Sequence, residues 1–331
     1  MRKRTLSIGG ATEDLFVRLP KDTLSLAGNT DVFALPLGAK IRVQEVIEAT
    51  GGGAANTAVG LSRLGCDALF EGVVGSDQWG QKLIETLQKE GVDTSLITIV
   101  ENEVSSFSII LSGNCGERVI LYDPGTNEHL HDMNFDTAIL TQVDWIYLNH
   151  LQEGSCVIQD NIVEMLEAAE SPRLSWNPGG CQIEKGLNEA DNRALLAHTT
   201  LLLLNKEEAL LFTGEQTTER SIRVLLDAGA DIVAVTDGSR GSVACDGTAL
   251  YRCPVVPDTH VTDTTGAGDA FGTGMTWGLL EGMSLSDALK TGNISAASVV
   301  GSIGAQTALL TDTQIRKRLK EVKLTVSVES L

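Results

Sequence analysis

Apolar residues in this chain recur in two spacings. Short apolar runs predict strands, and longer stretches with apolar positions three and four apart predict helices. Read in order, the predicted strands are Leu6–Ile8, Ala68–Val74, Trp145–Leu148, Arg173–Trp176, Thr200–Leu204 and Asp231–Thr236. Helices are predicted over Ala54–Leu64, Asp77–Glu90, Ser155–Ala169, Asn188–His198, Lys206–Phe212 and Ser221–Ala228, then over Ala267–Leu280, Ser284–Gly301 and Thr313–Val322. Strands that alternate with helices imply a mostly parallel central sheet covered on both faces, a three-layer α/β/α sandwich.

Two stretches break the alternation. Residues 15–50 hold Phe16-Val17, Val32-Phe33-Ala34 and Lys40–Val46 with no helical pattern. Residues 103–123 hold two β-rich runs, Ser106–Leu111 and Val119–Tyr122, around Gly113-Asn114-Cys115-Gly116, which is a hairpin signal. Both are expected to pair into a small β-sheet that serves as a lid or a subunit interface. The expected division is a core start at 1–14, the lid at 15–50 and 103–123, and the α/β/α core at 51–102 and 124–331.

Composition narrows the class. The 331 residues are 42% hydrophobic and 21% charged, values of a folded globular chain rather than a disordered or collagen-like one. A net charge of −19 repels nucleic acid and anionic lipid, so neither is expected as a partner. Six scattered cysteines with no C-x-x-C pair read as free thiols in a reducing compartment. The N-terminus lacks an apolar core after its basic residues, and Leu201–Leu204 is too short to span a bilayer. A cytoplasmic location is expected.

Two glycine-rich segments carry the candidate chemistry. Val261–Phe271 runs through a β-branched polar stretch into Gly266-Ala267-Gly268 and then a helix opened by Asp269. Free amides at a helix N-terminus form an anion site, and glycines let a phosphate approach them. A carboxylate in that first turn suits a base for a hydroxyl attacking phosphorus. Taken alone, the segment equally suits a helix whose Asp269 is only a cap. In the second segment, Gly51-Gly52-Gly53 opens a helix bearing Asn56, a bare loop against which a polyol can press. A close-packed helix start is the plainer use of such a loop. Asn56 stands where a dinucleotide fingerprint needs glycine, which disfavours a nicotinamide-dependent oxidoreductase.

Together these segments resemble the two signatures of the ribokinase-like (PfkB) carbohydrate kinases, and the resemblance covers nearly the whole chain. The matching elements are Gly51–Ala58, Asp263–Asp269, an acid at Asp14 after Gly9-Gly10, Asn177-Pro178, the N-x-x-E element Asn205–Glu208, and Thr236-Asp237-Gly238-Ser239-Arg240-Gly241. The resemblance implies Mg²⁺-ATP as phosphoryl donor and a small alcohol as acceptor. It implies Asp269 as base and the amides of Gly266, Ala267 and Gly268 as anion hole. Asp14, Gly52, Gly53 and Asn56 would hold the acceptor, with Gln152 or Glu153 beside it. Asn205, Thr236, Gly238, Gly241 and Asn293 would border the nucleotide. Glu208 would organise Mg²⁺ through water. Asp263 and Thr265, with the loop Val300–Ala305, match positions that hold K⁺ in some relatives.

A non-phosphorylated sugar is the first expectation for the acceptor, a nucleoside the second and a phosphosugar the third. A lid-mediated homodimer is common in the family. A non-catalytic ligand sensor on this scaffold is a separate reading, because fold does not fix function. An intact Asp269 beside Gly-Ala-Gly argues against it.

Overall fold

The computed structural model describes residues 2–20, 24–27, 30–33, 35–112, 118–132, 139, 142–151, 162–164, 166–167 and 172–330. Strands follow in the order β1 (Arg4–Ile8), β2 (Thr12–Arg18), β3 (Leu24–Ala27), β4 (Thr30–Phe33), β5 (Glu45–Gly51), β6 (Asp67–Glu71), β7 (Val73–Gly75), β8 (Thr98–Val100) and β9 (Phe107–Ser112). After them come β10 (Arg118–Asp123), β11 (Trp145–Leu148), β12 (Arg173–Trp176), β13 (Leu201–Asn205), β14 (Ile232–Thr236), β15 (Ser242–Cys245), β16 (Ala249–Cys253) and β17 (Ser327–Ser330).

The main sheet has nine strands in the order β17-β16-β15-β14-β13-β12-β11-β1-β6. From β14 to β6 every pairing is parallel, while β15, β16 and β17 add antiparallel strands at one edge. Period-two side chains explain the layers. On one face Ile146, Leu148, Leu202 and Leu204 pack with Leu195, Phe212, Ile222 and Leu225 from the helices between residues 180 and 227. On the other, Trp145, Tyr147, Leu201 and Leu203 pack with Leu61, Phe271, Met275 and Ile294. The unbroken leucines of β13 are therefore what a strand covered on both sides requires.

A separate four-stranded sheet has the order β10-β9-β2-β5. Its register puts Asp14, Ala49 and Ser108 in one cross-strand row, Phe16, Ile47 and Ile110 in the next, and Arg18, Glu45 and Ser112 in the third. Two residues along a strand advance about 7 Å, so the rows step outward from Asp14. Lys82, on the Gln78–Lys89 helix of the main body, pairs with the buried Glu13 and with Glu48 of this sheet. The hairpin expected at 103–123 forms between β9 and β10, with its turn outside the described residues. Most of the helix expected at Ser155–Ala169 also lies outside them.

Corrections to the expected elements fall at short segments. Ala68–Val74 is not one strand: Gly72 separates β6 from β7, which pairs with β8 instead. A short helix, Gly180–Lys185, and strands β15, β16 and β17 have no counterpart in the expected order. Cys66, Cys245 and Cys253 are buried free thiols as expected, whereas Cys181 is disulfide-bonded. Spacing along the chain does not say which sulfurs the fold brings together. Among the described residues no helix is long and apolar enough to cross a membrane.

Candidate active site

The parallel strands all end on one side of the sheet, where an open α/β fold binds ligands. Gly9-Gly10 follows β1, Asn149-His150 follows β11, Asn177 follows β12, Asn205 closes β13 and Thr236 closes β14. The Ala267–Leu280 helix points its N-terminus at the same edge. A cleft of about 220 Å³ there is lined by Asp269, Gly266, Ala267, Gly268, Asn205, Glu208 and Thr236, with Asn177 and His150 beside them. Residues 269 and 205 are thus brought to one cleft by the fold rather than by any local spacing.

Backbone geometry at the helix start explains its glycines. Ala267 N donates to Thr264 O at 3.2 Å, closing a turn with Gly266 at φ 76° and ψ 4°. A residue with positive φ at that place in a turn favours glycine. A Cβ on Gly266 would also lie 2.4 Å from that of Ala305, whereas one on Gly268 meets nothing within 4 Å. The expected anion hole is therefore corrected: the Ala267 amide is spent in the turn. Gly266 and Gly268 have amides that donate to no protein acceptor among the described residues, and Gly268 faces open space.

Asp269 is oriented from a distant helix. Asn56 Nδ2 donates to Asp269 Oδ2 at 2.8 Å, and Gln306 Nε2 donates to Asn56 Oδ1 at 3.0 Å. Asn56 is 3% exposed, and its amide links the carboxylate to Gln306. Burial raises the Asp269 pKa above the ordinary carboxylate value, and the Asn56 hydrogen bond and the nearby His150 pull it back down. A carboxylate lifted in this way holds a proton more firmly once it has taken one.

On the far side of Asp269, β2 and β5 bring Asp14 against the glycine loop. A Cβ on Gly51 would lie 2.2 Å from Asp14 Oδ2, and one on Gly52, at φ 88°, would strike Gly10 O at 2.5 Å. A Cβ on Gly53 would sit 3.4 Å from Asp269 Oδ1, so Gly53 separates the loop from that carboxylate. Burial pushes Asp14 up to about 6; a hydrogen bond with Ser108 opposes the rise, and the charges of Glu13 and Asp263 add to it. Asn149, fully buried, donates to Thr57 Oγ1 at 3.0 Å while its Oδ1 faces Gly53.

The remaining expected residues divide. Asn205 and Glu208 form a reciprocal cap: Glu208 N donates to Asn205 Oδ1 and Asn205 N donates to Glu208 Oε2, both at 2.8 Å. Gly238 and Gly241 shape the turn after β14 but do not line the cleft. Asn293 does not line it either, because its amide donates to Ser242 Oγ at 2.6 Å and Leu289 O at 2.9 Å inside the fold. Gln152 and Glu153 lie outside the described residues. Asp263 and Thr265 bond to each other at 2.8 Å, and Arg118 of β10 reaches the same carboxylate. Gln306, Asn149 and Arg118 were not expected at the site. Each lies far in sequence from the residue it touches, and neither glycine segment signals it.

A larger cleft of about 270 Å³ opens under the small sheet, between Phe16, Ile47, Ile110 and Arg118 on one side and Val261–Thr264 on the other. It extends the Asp14 row outward.

Comparison with known proteins agrees with this geometry. A profile described as pfkB family carbohydrate kinase matches residues 24–312. An uncharacterized sugar kinase of Archaeoglobus fulgidus is 34% identical over 258 residues, which cover 76% of this chain and 98% of that protein. A ribokinase of Haemophilus influenzae is 28% identical over 318 residues, covering 94% and 96%. Among solved structures, an Arabidopsis thaliana ribokinase complexed with ribose and ATP matches with a TM-score of 0.81 at 23% identity, covering 97% of this chain and 99% of that one.

Proposed function

This chain belongs to the pfkB family of carbohydrate kinases, phosphotransferases with an alcohol acceptor, and we propose that it transfers the γ-phosphoryl of ATP to a hydroxyl of a non-phosphorylated sugar. The observation that carries this reading is Asp269, held by Asn56, beside the unspent amides of Gly266 and Gly268. Phosphoryl transfer asks for alignment and charge neutralisation more than covalent chemistry. Asp269 would take the proton of the attacking hydroxyl. The Gly266 and Gly268 amides and the helix dipole would stabilise charge on the transferring group.

Acceptor hydroxyls would meet Asp14 and the bare backbone of Gly52 and Gly53. The nucleotide would lie along Asn205 and Thr236, with the Gly238–Gly241 turn at its edge. Glu208 is the acid lining the cleft on that side, and its cap uses Oε2, leaving Oε1 without a partner among the described residues. That donor set fits a Mg²⁺ held through water and phosphate oxygens, the way this ion usually binds. Mg²⁺, when bound, supplies charge neutralisation of the phosphates. The small sheet would cover the acceptor and exclude water, which otherwise competes for the phosphoryl group.

The apolar row of Phe16, Ile47 and Ile110, one step out from Asp14, favours a nucleoside as the second reading, with its base on that row. A homodimer would use β10, the edge strand of the small sheet, where Val119, Ile120, Leu121 and Tyr122 are 40% to 52% exposed. The function is tested by coupled ADP release with Mg²⁺-ATP across sugars and nucleosides. Acceptor-dependent turnover supports the reading, and its absence across the whole panel rejects it.

A further inference from the structure

Asp263 stands next to the turn that presents Gly266 and Gly268, and its side chain is only 9% exposed. A carboxylate removed from water needs a counter-charge. Its neighbours are Thr265 N at 3.1 Å and Thr265 Oγ1 at 2.8 Å on Oδ1, Gly304 N at 3.4 Å on Oδ2, and Arg118 Nη1 at 2.5 Å on Oδ1. Of these only Arg118 is charged. It opens β10 of the small sheet, and its Nη2 also reaches Thr264 Oγ1 at 3.4 Å. One guanidinium from the small sheet thus grips two consecutive residues of the anion-binding segment.

The same residues were expected to hold K⁺, and the donor set does not fit one. A monovalent cation needs uncommitted oxygen lone pairs. Asp263 Oδ1 already meets three hydrogen-bond donors and Oδ2 meets the Gly304 amide at 3.4 Å, while in the expected loop Val300 O accepts from Thr262 N and Asp263 N and Ile303 O from Thr307 Oγ1. The guanidinium against the carboxylate adds a like charge that repels a metal ion.

We propose that Arg118 is the resident counter-ion of Asp263 and a positioning residue for the Thr264–Gly268 turn, so that transfer proceeds without a monovalent cation and depends on the small sheet lying over the site. Arg118 acts on the turn through Asp263 and Thr264. Loss of the guanidinium leaves a nearly buried carboxylate unpaired and loosens the turn that aims the amides. In that state a small cation has somewhere to bind.

The inference rests on the phosphotransferase reading, so its test has one readout that needs no acceptor. The melting temperatures of the substrate-free wild type and of Arg118→Ala are measured in KCl, NaCl and choline chloride at equal ionic strength. The wild type is expected to melt alike in all three, and Arg118→Ala to melt higher in KCl or NaCl than in choline chloride. If Arg118→Ala does not fold, Arg118→Gln, which keeps length and removes charge, takes its place. In turnover, the wild type is expected to be insensitive to the cation. The variant is expected to lose at least about tenfold in kcat with a smaller change in KM for ATP, and to recover in part with K⁺ or added guanidinium. Specific K⁺ activation of the wild type overturns the proposal. So does a variant that responds to no cation in melting or in rate. A wild type inactive with every acceptor defeats the kinase reading instead, and the melting comparison still decides this one.

Discussion

Asn56 and Asp269 lie 213 residues apart and share a 2.8 Å hydrogen bond, with Gln306 holding the far side of the Asn56 amide. The helix that begins at the glycine loop therefore sets the orientation of the carboxylate on another helix. The helix opened by the glycine loop and the Asp269 carboxylate are joined by one amide.

That bond lowers the Asp269 pKa against the rise caused by burial. Asn56→Ala is expected to raise it further. The base works deprotonated, so the acid limb of the kcat profile should move to higher pH. Gln306→Leu should move it the same way by less, because Asn56 keeps its donor but loses its anchor. A pH–rate series at saturating acceptor and ATP checks both. An unmoved limb in Asn56→Ala would show that another group governs it.

Asp14 gives a pH dependence of opposite consequence for stability and for function. Its folded pKa is about 6, above the ordinary aspartate value of 3.8. The folded state therefore binds the proton more tightly, and stability falls as pH rises from about 4 to about 6. At pH 7.5 the buried charge costs roughly 2–3 kcal/mol. Asp14→Asn should raise the melting temperature at pH 7.5 and lose that advantage near pH 4. Its kcat/KM for the acceptor should fall by about tenfold or more while KM for ATP holds. Equal stability of variant and wild type at both pH values would contradict the assignment.

Gly266 and Gly268 separate folding from function. Gly266→Ala places a Cβ 2.4 Å from Ala305 at a positive φ, and should lower stability by about 1–3 kcal/mol. A methyl on Gly268 meets no protein atom, so Gly268→Ala should melt within a degree or two of wild type. It projects instead toward the open side of the anion site, and should weaken ATP use by at least about tenfold in kcat/KM. Thermal melts beside initial rates distinguish the two variants.

Much of the fold was legible because the main sheet is covered on both faces. The predicted strands Trp145–Leu148 and Arg173–Trp176 and the helix Ala267–Leu280 match the observed bounds, since sustained apolar periodicity has one consistent reading. β17 was not legible: all four of its residues are exposed, and only pairing with β16 makes it a strand. At the site, the glycine segments marked where backbone meets ligand. They did not say that Asn56 faces Asp269 rather than solvent, nor that Arg118 meets Asp263 across 145 residues. Such contacts belong to the packed chain and leave no local periodicity.

The most direct measurement is single-turnover and steady-state kinetics of Asp269→Asn, with ATP binding measured on the same protein. The isosteric amide keeps the shape of the site and removes the base. ATP should bind within about twofold of wild type while kcat falls by at least about 10²-fold. Near-normal turnover in Asp269→Asn would contradict the account.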